Sequence, residues 1–401
     1  MTLTVKKNTM HNLLYYMAFA IYAFTTALSS CTIIGWRSEF LQSYSGRIRF
    51  LCMALILMKL ILDRSYQPDS LIFLGINFVI AMLVYLSMGN PAIMIAVLMI
   101  FGANNCSPKT IVKIHFLSLL SVLSISIFTA LTGIVDDRTF IRGTAVRHSM
   151  GMLIPTMFGA VVFFLVVDYI YLRKRLKLVD SLIILIAAIF IDRVSDARLE
   201  TILLFALVAA TLFYKKIMKL SIVKYMSIFS FPIGALLSFT LVFLYLKYPS
   251  QFGPLNEWLS NRLLYSGQVM SEQPFTLFGT AFRMQGWGTL SYDWSFGYYY
   301  IDSFYMNYTM QYGIVFMVVL CIFVTHMIYK IYKEENYFFI VLIIFIAVHG
   351  IIKVSLLQAA LCPIVMVLFA RYKEQQKLQR KSLAKSRYRL YGKKTRMAVS
   401  R

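Results

Sequence analysis

Charge is scarce in this sequence. Of its 401 residues, 17 are Asp or Glu and 40 are Lys or Arg, 14% charged in all, where a soluble domain of this size carries about 25%. Apolar residues make up 59% and the mean hydropathy is +0.71. An ordinary soluble enzyme is excluded, and repeated apolar runs near 20 residues indicate a polytopic membrane protein. Cysteine is scarce as well, and the count of five is odd. Cys31, Cys52, Cys321 and Cys362 lie in or beside apolar runs, and Cys106 sits in a short loop. Neither a metal spacing nor a disulfide framework is present. No small-residue cleavage site follows the first apolar run, which therefore reads as a retained helix and not a signal peptide. There is no GxSxG elbow of a lipase or esterase. No segment outside the apolar runs is long enough to bury its own core. The chain therefore reads as one membrane domain over 1–370 and a basic tail over 371–401.

What is present is a series of apolar runs, at about 12–32, 50–62, 70–88, 91–103, 111–133, 151–171, 178–191, 201–214, 226–246, 304–329, 337–350 and 354–370. They predict an all-α fold with about twelve transmembrane helices. The tail carries twelve Lys and Arg against one acidic residue, Glu374. Lys and Arg collect on the cytoplasmic side, so the tail, and the N-terminus with it, are expected inside. Arg173-Lys174-Arg175, Lys215, Lys216, Lys219, Lys224, Lys330 and Lys333 then fall inside too. This bias accounts for the formal charge of +23 without nucleic acid, and the tail is too short for an RNA-binding module. It reads as a disordered anchor on the anionic inner leaflet.

The same count leaves loops 33–49, 134–149, 192–200 and 247–303 outside. The last is too long for a plain connector and too aromatic for a disordered linker. Its rings Trp258, Trp287, Tyr292, Trp294, Tyr298, Tyr299 and Tyr300 suit either sugar faces or an interfacial belt. Trp287, Tyr292, Trp294 and Tyr299 are the sugar-contact candidates. Arginine recurs in these outer loops against the usual bias, which points to an anionic substrate. Arg147, Arg198 and Arg283 are the main candidates, with Arg142, Arg193 and Arg262 as weaker ones. A guanidinium offers a rigid fork suited to phosphate oxygens.

Around Arg147 the sequence runs Arg-His-Ser-Met-Gly-Met-Leu-Ile-Pro-Thr-Met-Phe-Gly. It is expected to open a membrane helix at the outer face, where backbone amides favour anions. Gly151 and Gly159 would let another segment or a lipid approach closely. Ser149 suits a cap better than a nucleophile. Asp192, Asp196 and Glu200 alternate with Arg193 and Arg198, which fits either a surface ion network or part of an arginine cleft. His148 and Asp302 are the catalytic candidates. An unperturbed imidazole is the better base near neutral pH, and Asp302 is placed to orient a hydroxyl. Lys59 and Asp168 lie near helix ends and are expected to snorkel.

These residues resemble the bacterial O-antigen and capsular polysaccharide polymerases, and more distantly the O-antigen ligases. The resemblance spans nearly the whole chain in helix count and loop order. Its motifs are Arg147 to Gly159, Ser195-Asp-Ala-Arg198, and Phe278-Gly279 through Asp302-Ser303-Phe304-Tyr305 to Gly313. In the family a Gly-Phe-x-x-Pro-Asn pattern often follows the first arginine; here Met152 and Thr156 replace the Phe and Asn. The resemblance implies a glycosyltransferase-C-like membrane fold with no cofactor and no required metal. It implies transfer of a growing glycan from undecaprenyl pyrophosphate to a lipid-linked oligosaccharide repeat unit. That transfer takes place at the outer face of the cytoplasmic membrane, in O-antigen, capsule or exopolysaccharide synthesis. A chain-length regulator and a flippase are the protein partners it admits. The alternatives are a flippase of lipid-linked oligosaccharide, for which internal repeats are missing, and a non-catalytic member of a surface-glycan machine.

Overall fold

The computed structural model describes residues 2–33, 38–63, 68–173, 176–289, 292–358, 361–372 and 374. The tail beyond Glu374 lies outside them, as do Trp36, Arg37, Lys174 and Arg175, so the anchor reading of the tail concerns residues outside the description. The first half contains α1 (Thr2–Leu28), α2 (Ser38–Leu62), α3 (Pro68–Met88), α4 (Ala92–Gly102) and α5 (Pro108–Leu131). A hairpin follows, β1 (Thr139–Arg142) and β2 (Ala145–His148). Then come α6 (Pro155–Arg173), α7 (Leu178–Ser195), α8 (Arg198–Ile217), α9 (Ser221–Ile228) and α10 (Ser230–Lys247). The long loop contributes α11 (Pro249–Trp258) and α12 (Arg262–Glu272). The chain continues through α13 (Phe304–Tyr312), α14 (Ile314–Lys333), α15 (Tyr337–Ile352), a 3-10 turn (Ser355–Leu357) and a helix over 364–372.

Among the described residues, four helices are long and apolar enough to cross a membrane: α5, α6, α10 and α14. The protein is membrane-associated. This corrects the expectation of about twelve spanning helices and, with it, the glycosyltransferase-C-like architecture. Length decides part of the difference. α4 has 11 residues and α15 has 16. At a rise of about 1.5 Å each they fall short of a hydrocarbon core roughly 30 Å thick. Charge decides another part: α7 holds Asp180, Asp192 and Arg193, and α8 holds Glu200, Lys215 and Lys216. Their apolar residues serve helix packing as much as any lipid contact. In α15, Phe339 to Ile343 and Ile346 are all buried.

α1 packs on α2 and α5, α6 on α5 and α7, and α8 on α7 and α15. One apolar core runs through these helices and into 364–370. A second, smaller core of Val242, Leu263, Val269, Ile301 and Met310 lies under the long loop. Lys59 and Asp168 do not snorkel. Both are buried, because Lys59 finds Asp63 at 3.0 Å and the Asn104 carbonyl at 2.6 Å, and Asp168 pairs with His115 across α5 and α6. The long loop is partly helical. Pro249 opens α11 at a position where a missing N–H costs nothing.

Candidate functional site

The segment around Arg147 is a strand and not a helix start. Gly143, with φ +61°, takes the first central position of a two-residue turn between Arg142 and Ala145, which is the geometry of a type II′ hairpin. Side chains alternate along each strand. Arg142 and Arg147 therefore share the half-buried face, and Ile141, Val146 and His148 share the exposed one. His148 is turned away from the arginines and pairs with Asp137 at 2.7 Å. α6 begins only at Pro155. Ser149 donates to the Arg138 carbonyl at 2.6 Å and closes the base of the hairpin.

The arginine face docks on the C-terminus of α7. Arg147 Nε donates to the Ser195 carbonyl at 2.9 Å, and Arg142 bonds Asp196 through both carboxylate and carbonyl. The last carbonyls of a helix carry partial negative charge, so two cations are stabilised there. The Arg147 Nη2 group is buried with no hydrogen-bond partner. Burial first, then the Arg142 charge, lowers the Arg147 guanidinium to about 10, against the pull of Asp196. Arg262 lowers it further and Glu200 supports it, so both lie within electrostatic reach.

Arg262 opens α12, and a residue of α11 fixes it there. The Asn256 side-chain oxygen accepts from the backbone N–H of Leu263 and of Leu264, both at 3.1 Å. Arg262 Nε then meets the Asp302 carboxylate at 3.3 Å. Asp302 is held on its own side. Asn307 donates to the Ile301 carbonyl at 2.8 Å, and Ser303 bonds Ser238 of α10 at 3.1 Å. The Tyr298 hydroxyl reaches Asp302 at 3.2 Å.

Three residues that were not among the candidates complete the group. Lys353, just after α15, sits 3.8 Å from Glu200 and donates to the Thr156 carbonyl at 3.4 Å. Glu200 lies in the first turn of α8, and His349 Nε2 is 3.5 Å from it. Glu200 is 1% exposed and His349 0%. The Glu200 Oε1 atom and both His349 ring nitrogens have no hydrogen-bond partner. The His349 ring stacks on Phe163 at 4.8 Å with Phe164 edge-on, which fixes its plane. Gly159 permits this approach of α8 to α6, since a Cβ there would meet the Ala197 Cβ at 2.6 Å. Burial lowers the Lys353 amine to about 8. Glu200 resists this, while Arg262 and Arg147 add to it. Burial alone would raise the Glu200 carboxyl, but Lys353 and His349 hold it below its ordinary value. Arg142, Arg147, Arg262 and Lys353 thus face Asp196, Glu200 and Asp302, four cations against three carboxylates. Such a surplus suits an anion.

Of the other candidates, Arg198 lies at the edge of this group and the rest lie apart from it. Arg283 pairs with Asp293 at 3.1 Å and lies 4.5 Å over the Phe296 ring, within the long loop. Arg198 is half exposed and leans on Asp196 at 3.3 Å. Arg193 is exposed and has no ion pair among the described residues. Trp287 stacks on Tyr292 at 5.0 Å with Trp294 beside them, an outward-facing aromatic cluster. Tyr299 is not part of it. Its backbone bonds Gln285 in both directions, which turns the ring into the smaller core, so its sugar-contact reading is corrected. Gln285 pins this part of the loop. Its side chain donates to the carbonyls of Asp293 and Gly297 at 2.8 and 2.9 Å and accepts from the Asp293 N–H at 2.9 Å.

Among the described residues no group of three His, Cys, Asp or Glu side chains is placed to hold a metal ion. Set against known proteins, the chain matches no family model, no curated protein and no solved structure.

Proposed function

We propose that the protein transfers a glycan from a lipid pyrophosphate to a second, lipid-linked oligosaccharide at the outer surface of a bacterial cytoplasmic membrane. The observation that supports this reading is the partly buried cation group, in which Arg147 Nη2 has no hydrogen-bond partner. Arg147, Arg262 and Lys353 surround the place where a leaving pyrophosphate would need its charge neutralised. The acceptor hydroxyl oxygen attacks the anomeric carbon. The bond from that carbon to the pyrophosphate oxygen breaks, and the acceptor proton passes to a carboxylate. Asp302 is the residue to orient that hydroxyl. His148, on the opposite face of β2, is not placed for it.

The basic helix ends support an orientation. Arg173 closes α6, and Lys330 and Lys333 close α14. With those ends in the cytoplasm, the hairpin before α6 and the loop 248–303 before α14 lie outside, and the basic tail lies inside. A tag beside Gln268 is expected to be reachable from outside intact cells, and one beside Lys385 is not.

The test of function is turnover of synthetic lipid-linked repeat units by purified protein. Arg147→Lys and Arg262→Lys should each reduce it at least about tenfold, or roughly 1.4 kcal/mol, because an ammonium cannot reproduce the planar fork. Normal turnover in both variants would remove the phosphate role and with it this reading.

A further inference from the structure

A cavity opens between α1, α4, α13 and the 3-10 turn. One wall is apolar, from Ala92 to Met99 on α4. The other carries Tyr22, Thr26, Tyr308, Tyr312 and Gln358, and no charged side chain lines it. Tyr308 is 8% exposed and Tyr312 6%, yet neither hydroxyl bonds to a protein group among the described residues. Hydroxyls in the wall of such a cavity can each donate to and accept from a ligand. The two rings pack on each other at 4.8 Å, which holds them in place. Tyr300 joins this cavity to the cation group, within electrostatic reach of Asp302 on one side and of Tyr308 and Tyr312 on the other.

We infer that the cavity holds a neutral pyranose ring. Aromatic faces on one side and unpaired hydroxyl and amide groups on the other match a ring with C–H faces and hydroxyl edges. A charged headgroup would find no charged side chain in the lining, and only Arg49 within electrostatic reach of Tyr22. A hydrocarbon chain would leave Tyr308, Tyr312 and Gln358 unpaired, a costly outcome in a buried site. On the glycan-transfer reading, on which this inference rests for the identity of the larger molecule, the ring is a neutral sugar of the lipid-linked repeat unit.

The test uses the full chain in lipid nanodiscs with methyl glycosides of glucose, galactose, N-acetylglucosamine and rhamnose as probes. Binding is followed by ligand-observed NMR, with geraniol as an isoprenoid competitor. At least one glycoside should bind, and Tyr308→Phe with Tyr312→Phe should weaken it at least about tenfold at an unchanged melting temperature. Geraniol should not displace it. The inference is overturned if no glycoside binds, if the double variant binds as well as the parent, or if geraniol competes. Polymer turnover in the same preparations separates the two claims. Glycoside binding with the expected variant effect but no turnover leaves the neutral-sugar site standing and removes the transfer reading. Turnover without glycoside binding does the reverse.

Discussion

Two buried lysine–carboxylate groups invite comparison. In the first, Lys59 of α2 meets Asp63 at 3.0 Å and the Asn104 carbonyl at 2.6 Å, and Asn104 and Asn105 both donate to the same carboxylate at 3.3 Å. In the second, Lys353 stands 3.8 Å from Glu200, and His349 stands 3.5 Å from it with no hydrogen bond at either ring nitrogen. The first group is closed by its own protein. The second is not, although it is equally buried. Burying a charge without full pairing is expensive, and proteins tolerate that cost chiefly where a ligand or a reaction uses it. The contrast separates a structural lock from a prepared site more clearly than residue type does.

The largest effect expected from this contrast is on stability. Lys59→Met strands Asp63 in the interior and should cost about 3–5 kcal/mol. The double variant Glu200→Gln, Lys353→Met removes both charges of the open pair and should stay within about 1 kcal/mol of the parent. Thermal melting in detergent measures both, and a double variant as damaged as Lys59→Met would break the comparison.

Next in size is turnover. Lys353→Met should lower it about tenfold, while Arg283→Lys and Arg198→Lys, at exposed pairs, should lower it less than about threefold. A tenfold loss at Arg283 would mean that the part of the long loop around Arg283 reaches the cation group during reaction.

A pH titration sharpens the contrast further. The Lys353 amine loses its proton at about 8, not at its ordinary 10.5. Binding of inorganic pyrophosphate should therefore weaken as pH rises through about 8, and Lys353→Arg should flatten that fall. Stability takes the opposite sign. Between about 8 and 10.5 the unfolded chain holds the proton that the folded chain has released, so this group adds stability as pH rises. Pyrophosphate binding that is level from pH 7 to 9 would show that Lys353 does not contact the anion.

The smallest effect is reserved for His148. Its exposed pairing with Asp137 predicts that His148→Gln changes turnover by less than about twofold.

Part of this arrangement can be read from the chain alone. Apolar runs mark the four long helices because composition dictates membrane length directly. Arg147 and Arg262 stand out because arginine opposes the topological bias. Two parts resist such reading. Apolar runs count the buried faces of short helices such as α4 and α15 as though they met lipid, which inflates the number of crossings. Lys353 looks like a turn residue between two apolar runs, and its partner Thr156 is 197 positions away. His349 gives no local signal, since a histidine inside an apolar helix reads as core. The hairpin hides for a different reason: with four residues in each strand, its alternation is too brief to stand out beside a helix of 19.

The knot at Gln285 bears on how such a protein could change over generations. The arc from Gly286 to Gly297 is tied back to one side chain, and the rings it displays lie apart from the strand that carries Arg147 and the helix end that carries Lys353. Lineages could therefore exchange the arc, and with it the surface a new sugar meets, without rebuilding the place where the leaving group departs. Diversity of product and constancy of chemistry would then reside in different parts of the same chain.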